Sequence, residues 1–258
     1  MSKLKVRHYS QKQLDIVLIH GWGLHSGVWQ KLIEYLQTFA NITVIDRAGY
    51  GHSQIMSHED ELNEILANCP PKAVYIGWSL GVSVILQLAT QHPQRVQAIV
   101  ALAADPCFVA RNDWPYAMPI ENFQQFQQDT EENAYTALLR FMGLQTQGSN
   151  TQRQELRFLQ QLLAQHPIPH HLQLLQGLAD LAQDYRPLVE KIRCPMLWVY
   201  GTKDKLVNID VDALLALNSQ ITFGSFADAA HVLLLSHPEP LSDMIIRFLR
   251  GNGYDDAV

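Results

Sequence analysis

The pentapeptide Gly77-Trp78-Ser79-Leu80-Gly81 carries the most specific chemical signal in this sequence. A serine hydroxyl is a weak nucleophile, so a chain that uses one must expose it, hold it rigidly and give it a base. The apolar run Ala73-Val74-Tyr75-Ile76 precedes the pentapeptide and Val82 to Ala89 follows it, which puts Ser79 where a buried strand hands over to a buried helix. That is the setting a G-x-S-x-G nucleophile elbow requires. The glycines have a steric reason: the serine sits on a sharp, strained turn, and side chains at positions 77 or 81 would run into the adjoining strand and helix.

A base and an acid to orient it lie downstream. His231 ends Ala229-Ala230-His231 after an expected last strand, Ile221 to Phe226, and Asp204 stands just past an expected strand, Met196 to Tyr200. The imidazole would take the hydroxyl proton of Ser79, and the carboxylate would hold the ring in the tautomer that can do so. The order Ser79, Asp204, His231 is that of α/β-hydrolase triads and differs from the two other common serine-protease orders. Asp105 is the rival acid, because it too follows a strand. Among the other histidines, His20 belongs to a glycine-rich loop and His237 precedes Pro238 at the start of the last helix. His166 and His170 have the spacing of a metal pair, but Pro167 and Pro169 keep a regular helix from aligning them. No metal site and no cofactor are expected.

These residues need a scaffold. Leu4 to Tyr9 and Leu14 to Ile19 read as two strands with the polar turn Ser10-Gln11-Lys12-Gln13 between them. The second ends at His20-Gly21-Trp22-Gly23, where two glycines around one tryptophan let the backbone bend close to a ligand, as an oxyanion-hole loop must. Val28 to Phe39 has helical spacing and Ile42 to Asp46 reads as a buried strand. The turn Arg47 to Ser53 is glycine-rich but lacks the spacing of a phosphate-binding loop. A helix near Glu59 to Asn68, the strands at Ala73 to Ile76 and Ala98 to Ala103, and a closing helix from Glu239 to Leu249 continue the alternation. The expected fold is therefore α/β, a mainly parallel sheet covered by helices on both faces.

From Phe108 to Pro187 the pattern changes to helical stretches without a strand, interrupted at Gly143, Gly148, Pro167 and Pro169. Residues 108–187 are expected to form a helical lid inserted into a core made of 1–107 and 188–258. Helices inserted after a strand end lie over the carboxyl edge of the sheet, which is where Ser79 sits, so an apolar ceiling over the nucleophile is expected.

Composition narrows the classes. With 258 residues, 47% hydrophobic and 17% charged, the chain can bury one large core. No apolar run approaches the eighteen residues of a membrane span and the first residues lack a signal-peptide pattern, so a cytoplasmic location without membrane attachment is expected. Cys69, Cys107 and Cys194 are odd in number and far apart, and read as reduced, mostly core, residues. A net charge of -6 speaks against general nucleic-acid binding. A monomer is expected.

His20-Gly21-Trp22-Gly23, Asp46 with Gly49-Tyr50-Gly51-His52-Ser53, Gly77 to Gly81, Pro106-Cys107-Phe108, Leu144-Gln145-Thr146, and Ala229-Ala230-His231 with Ser236-His237-Pro238 together resemble the pimeloyl-[acyl-carrier protein] methyl ester esterases of biotin synthesis. The resemblance runs nearly end to end. Trp78 within the elbow, the Pro-Cys-Phe turn and the segment 141–145 are its more specific parts. It implies a serine carboxylesterase that cleaves the methyl ester of a pimeloyl chain carried on acyl-carrier protein, with Ser79, Asp204 and His231 as the triad. It further implies Trp22 and Leu80 as oxyanion positions, Phe141, Met142, Gly143, Leu144 and Gln145 as substrate contacts, and Arg140, Arg153 and Arg157 as docking residues for the carrier. The chain departs from the pattern at Thr136, which stands in place of a fourth lid arginine, at Ala48 and at Val232. A broad-specificity carboxylesterase or thioesterase would use the same triad, and a non-catalytic binding protein could use the same fold.

Overall fold

The structure is a computed structural model that describes residues 3–9 and 12–254. Seven strands form one sheet: β1 Lys5–Tyr9, β2 Asp15–Ile19, β3 Asn41–Asp46, β4 Ala73–Trp78, β5 Val96–Leu102, β6 Met196–Gly201 and β7 Ile221–Phe226, in the order β1-β3-β2-β4-β5-β6-β7. All neighbours pair in parallel except β1, which runs antiparallel to β3. The expected pair of strands at the N-terminus thus exists, but β1 pairs with β3 rather than with β2. Of the turn expected between them, Ser10 and Gln11 lie outside the described residues.

Strand alternation divides the core into two layers. Ile16, Leu18, Val74, Ile76, Val100 and Leu102 face one side of the sheet, and Val17, Ile19, Tyr75, Ile99 and Ala101 face the other. Helices cover both sides: α1 Gln30–Leu36 and α11 Pro238–Gly251 pack on the first, while α2 His58–Asn68 and α3 Gly81–Gln91 pack on the second. A 3-10 turn at Ser26–Trp29 leads into α1, which is shorter than the expected 28–39 span. The short helices α9 Val211–Leu217, capped by the Asp210 carboxylate on the Ala213 N–H, and α10 Leu233–Ser236 have no counterpart among the expected elements.

Between β5 and β6 the chain leaves the sheet for α4 Ile120–Glu132, α5 Ala134–Thr146, α6 Gln152–Gln165 and α7 His171–Leu181, and returns through α8 Arg186–Val189. Phe123, Leu138, Phe141, Leu159 and Leu174 from these helices join the same apolar layer as Trp22 and Trp78. Gly148 and the two prolines fall between helices, as expected. Gly143 does not: it lies inside α5, where a side chain would meet nothing within 4 Å, so glycine there costs helix propensity but no packing. Five of the six parallel strands place the loops after Ile19, Trp78, Leu102, Gly201 and Phe226 along one edge of the sheet, and the inserted helices rise from that edge.

Candidate active site

At the end of β4 the backbone turns through Ser79 with φ 54°, the left-handed region that costs a residue with a β-carbon. The strain is held by bonds on both sides. The Ser79 N–H donates to Leu102 O at 2.8 Å, and Ser79 O accepts from the Val82 N–H at 3.0 Å as α3 begins. A β-carbon at position 81 would lie 2.2 Å from Ile19 O, and one at 77 would lie 2.8 Å from the Val82 nitrogen, so both glycines are demanded by backbone atoms that cannot move aside. Gly21 is as tightly placed, 3.0 Å from the Ser79 β-carbon. The loop after β2 therefore abuts the elbow directly.

The loops after β6 and β7 bring the other two groups together. Asp204 Oδ1 accepts from the backbone N–H of Leu206 at 2.8 Å and of Val207 at 3.1 Å, which fixes the carboxylate and leaves Oδ2 to meet His231 Nδ1 at 2.8 Å. Both side chains are 1% exposed, so little water screens the pair. A carboxylate only accepts, so Nδ1 carries the proton and Nε2 presents its lone pair. Among the described residues Nε2 has no hydrogen-bond partner. Two further bonds hold the histidine's own backbone: its N–H donates to Gln145 O at 3.1 Å, and its carbonyl accepts from Trp78 Nε1 at 2.9 Å. The second ties His231 to the residue before Ser79. The first ties it to α5, a contact that no sequence pattern announced.

Asp105, the rival acid, is engaged elsewhere. Its carboxylate accepts from the Cys107 N–H at 2.8 Å and from the Trp114 indole at 3.0 Å, and no bond joins it to His231. Burial pushes its carboxyl up to about 6. An asparagine oxygen could accept both bonds without a charge, so Asp105→Asn is expected to raise the unfolding temperature near pH 8. The sign follows from linkage: below about pH 4 the carboxyl is protonated in folded and unfolded chains alike, and from there to about pH 6 the unfolded chain sheds its proton first, so the parent loses relative stability as pH rises. Thermal melts of both proteins near pH 8 and at about pH 4 check this; a variant no more stable than the parent near pH 8 contradicts it.

His20 also drops out as a base. Its Nε2 accepts from the Arg47 N–H at 2.9 Å, which leaves Nδ1–H to donate to Gly21 O at 2.8 Å, and burial pushes the ring down to about 4. It is a neutral brace between the loops after β2 and β3. His237 bonds Asp228 at 3.0 Å at the start of α11, and the His166 ring lies against His25 at a tilt of 48° with ring centres 3.9 Å apart. The turn after β3 is held by a buried ion pair, Arg47 to Glu61 at 3.1 Å. All three cysteines are free, with Cys69 and Cys107 buried.

Trp22 and Leu80 flank Ser79 from two sides, one on the loop after β2 and the other at the first turn of α3. Among the described residues neither backbone N–H has an acceptor. Two amides of this kind beside a nucleophile can hold the oxygen of a tetrahedral intermediate. The stretch 141–145 lies on α5. Phe141 and Met142 are buried, with Phe141 edge-on to Trp22 at 5.0 Å. Leu144 is 43% exposed, and Gln145 is 1% exposed with both polar atoms of its side chain unpartnered.

Two hollows adjoin these groups. Beside Ser79 a cavity of about 20 Å³, roofed by Phe108 and Leu181, holds little more than a water molecule. A second, of about 330 Å³, opens between α4, α5 and the loop after Asp204, with Phe126, Phe141, Leu144 and Leu206 as apolar walls and Arg140 and Lys205 among its polar ones. Arg140 is paired with Asp129 at 2.8 Å. Arg153 and Arg157 are exposed on α6 and make no ion pair among the described residues. Glu155, which a solvated helix surface would place in water beside them, is instead buried. It accepts from the hydroxyls of Ser149 and Thr151.

Residues 16–238 match the family model of the alpha/beta hydrolase fold. The chain is 38% identical over 242 residues to the pimeloyl-[acyl-carrier protein] methyl ester esterase of Pectobacterium carotovorum subsp. carotovorum, covering 91% of this chain and 93% of that one. It is 36% identical over 241 residues to the protein of the same name from Yersinia enterocolitica, covering 91% and 92%. Among solved structures it is similar to an esterase from Exiguobacterium antarcticum, with TM-score 0.83, 17% identity and 96% and 95% coverage. It is likewise similar to the enol-lactonase from Burkholderia xenovorans, with TM-score 0.81, 17% identity and 96% coverage of each chain. Likeness at that identity speaks to the fold alone.

Proposed function

Because this chain belongs to the pimeloyl-[acyl-carrier protein] methyl ester esterase family within the α/β hydrolases, we infer that it hydrolyses the methyl ester of a pimeloyl chain borne on acyl-carrier protein, releasing methanol. The observation that carries the chemistry is the buried imidazole whose Nδ1 is committed to Asp204, whose Nε2 is left open, and whose backbone carbonyl is tied to Trp78, the residue before Ser79. In the first half-reaction Ser79 Oγ bonds to the ester carbonyl carbon while its proton passes to His231 Nε2. The carbonyl oxygen becomes an oxyanion between the backbone N–H groups of Trp22 and Leu80. Collapse breaks the bond to the methoxy oxygen, which leaves as methanol with the proton held by His231. Water then attacks the acyl-enzyme by the same route, its proton taken by His231 and returned to Ser79, and the product is a free carboxylate still on its carrier. Asp204 stays ionised throughout and stabilises the imidazolium. No metal or redox group enters these steps.

The second cavity supports the substrate side of this reading. Its apolar walls suit a methylene chain, and Arg140 is among the residues that line it. The two guanidinium groups on α6, which make no ion pair among the described residues, support a docking role, since acyl-carrier proteins are acidic and exposed arginine is available to one. The test is the mass of pimeloyl-carrier methyl ester before and after incubation. A loss of 14 mass units, roughly one CH2 as methyl gives way to hydrogen, is the expected result. No loss, while short aryl esters turn over, would assign the chain a different acyl substrate. In the same assay Arg153→Glu with Arg157→Glu is expected to raise KM for the carrier-bound ester severalfold or more, increasingly so at low salt, and to leave a small aryl ester nearly unchanged. Equal damage to both substrates would make the arginines structural.

A further inference from the structure

Both proposed oxyanion residues are seated by one residue of the inserted helices. Gly177 lies in the middle of α7, and a β-carbon there would come 2.7 Å from Trp22 Cδ1, 3.2 Å from Trp22 Nε1 and 3.2 Å from Leu80 Cδ2. One turn earlier on the same helix, Leu174 O accepts from the Trp22 indole N–H at 2.9 Å. Phe126 of α4 and Phe141 of α5 each meet the indole edge-on at 5.0 Å. Gly23 completes the fit: its φ is 80°, and a β-carbon there would stand 2.7 Å from Leu138 Cδ2 of α5. The loop after β2 is therefore shaped against the inserted helices as closely as against the sheet. Glycine is a poor residue for the middle of an eleven-residue helix, which makes its presence at a point of α7 that faces both side chains a matter of fit rather than of propensity.

We propose that Gly177 is a positioning residue for ester hydrolysis: its missing side chain is the notch that lets Trp22 and Leu80 hold their backbone N–H groups on a single oxygen. Gly177 touches no substrate itself. A methyl group in the notch pushes on two rigidly packed side chains at once, and the two amides, which sit on different loops, diverge. Such a change falls on the transition state more than on the bound ester, because the amides bond most strongly to the oxygen once it carries charge. The inference rests on the oxyanion assignment above and is independent of which acyl chain the enzyme takes.

The experiment uses Gly177→Ala, a short aryl ester and phenylboronic acid, to which Ser79 Oγ adds to give a tetrahedral adduct that mimics the intermediate. Loss of an oxyanion donor costs about 10²–10³ in kcat, so a displaced pair is expected to cost about tenfold or more in kcat with KM within about twofold. Affinity for the boronic acid is expected to fall by a similar factor. Ala179→Gly, exposed on the same helix, disturbs helix propensity without reaching Trp22 and is expected to leave both quantities unchanged. Trp22→Phe keeps a ring in the notch and loses the bond to Leu174 O, so a smaller loss in the same two quantities is expected, and this variant carries the test if Gly177→Ala does not fold. Unchanged kcat and boronic acid affinity in a folded Gly177→Ala, or in Trp22→Phe, overturns the proposal, as does an equal loss in Ala179→Gly. Because the aryl ester is the substrate, failure here leaves the pimeloyl reading intact, and failure of the pimeloyl assay leaves this one intact.

Discussion

Ser79→Ala is expected to remove ester cleavage, with a loss of about six orders of magnitude in kcat, and to leave the fold in place. The size follows from the role proposed for the hydroxyl: it would bond to the acyl carbon, and neither His231 nor the proposed oxyanion amides could replace that bond. What remains is the small acceleration that binding and oxyanion stabilisation give to attack by water. The fold survives because alanine keeps the β-carbon, so the strained φ of 54° is neither relieved nor worsened, and the N–H to Leu102 O and the carbonyl to the Val82 N–H are backbone bonds. A mass assay for the hydrolysed ester, with a thermal melt beside it, gives both readings. Undiminished turnover by a folded Ser79→Ala protein would remove this serine from the chemistry.

The second large effect separates two carboxylates. Asp204→Asn is expected to lower kcat by about four orders of magnitude, while Asp105→Asn lowers it by far less. An asparagine at 204 can still accept the Leu206 and Val207 N–H groups through its oxygen. That orientation turns its NH2 toward His231 Nδ1, which must then accept rather than donate. The ring proton moves to Nε2, and the atom that should take the proton from Ser79 no longer has a free lone pair. At 105 the same substitution alters a group that faces Cys107 and Trp114, two bonds that shape the path into the inserted helices. Rate constants for the two variants on one substrate decide the matter. The opposite ranking would move the acid to the strand before the insertion.

How far these features could be read from the sequence depends on whether the cause was local. The elbow was legible because its geometry forbids side chains at 77 and 81, so the sequence must print glycine there. The order Ser79, Asp204, His231 was legible because each follows a strand, and parallel strands send their carboxyl ends to one edge. The partner of β1 was not. A short turn between two apolar runs suggests a hairpin, yet pairing with β3 is decided by the whole sheet, and alternation in β1 carries no trace of it. Gly143 read as a helix breaker because its cost is local, while the helix around it is set by packing of Leu138, Phe141 and Met142. Glu155 is buried although charged side chains usually stay in water; its hydroxyl partners sit at 149 and 151, close in sequence but recognisable only once the turn before α6 is formed. The bond from His231 to Gln145 joins residues far apart in the chain, and nothing in either one's type marks it.

The place of the insertion has a consequence for the order in which the protein can be made. β5 ends at Leu102, and the strand that covers its outer edge, β6, does not begin until Met196. About ninety residues must leave the ribosome in between, roughly 5 to 20 s at about 5–20 residues per second. Throughout that interval the nascent chain holds an apolar strand with one side of its backbone unpaired, the arrangement most prone to joining the edge of another molecule. The proposed nucleophile, at residue 79, is synthesised well before the proposed acid and base at 204 and 231. A protein released or cut early would have a reactive-looking turn and an open sheet but no means of catalysis. The length of the insertion is thus a clock during synthesis as well as a roof in the finished enzyme.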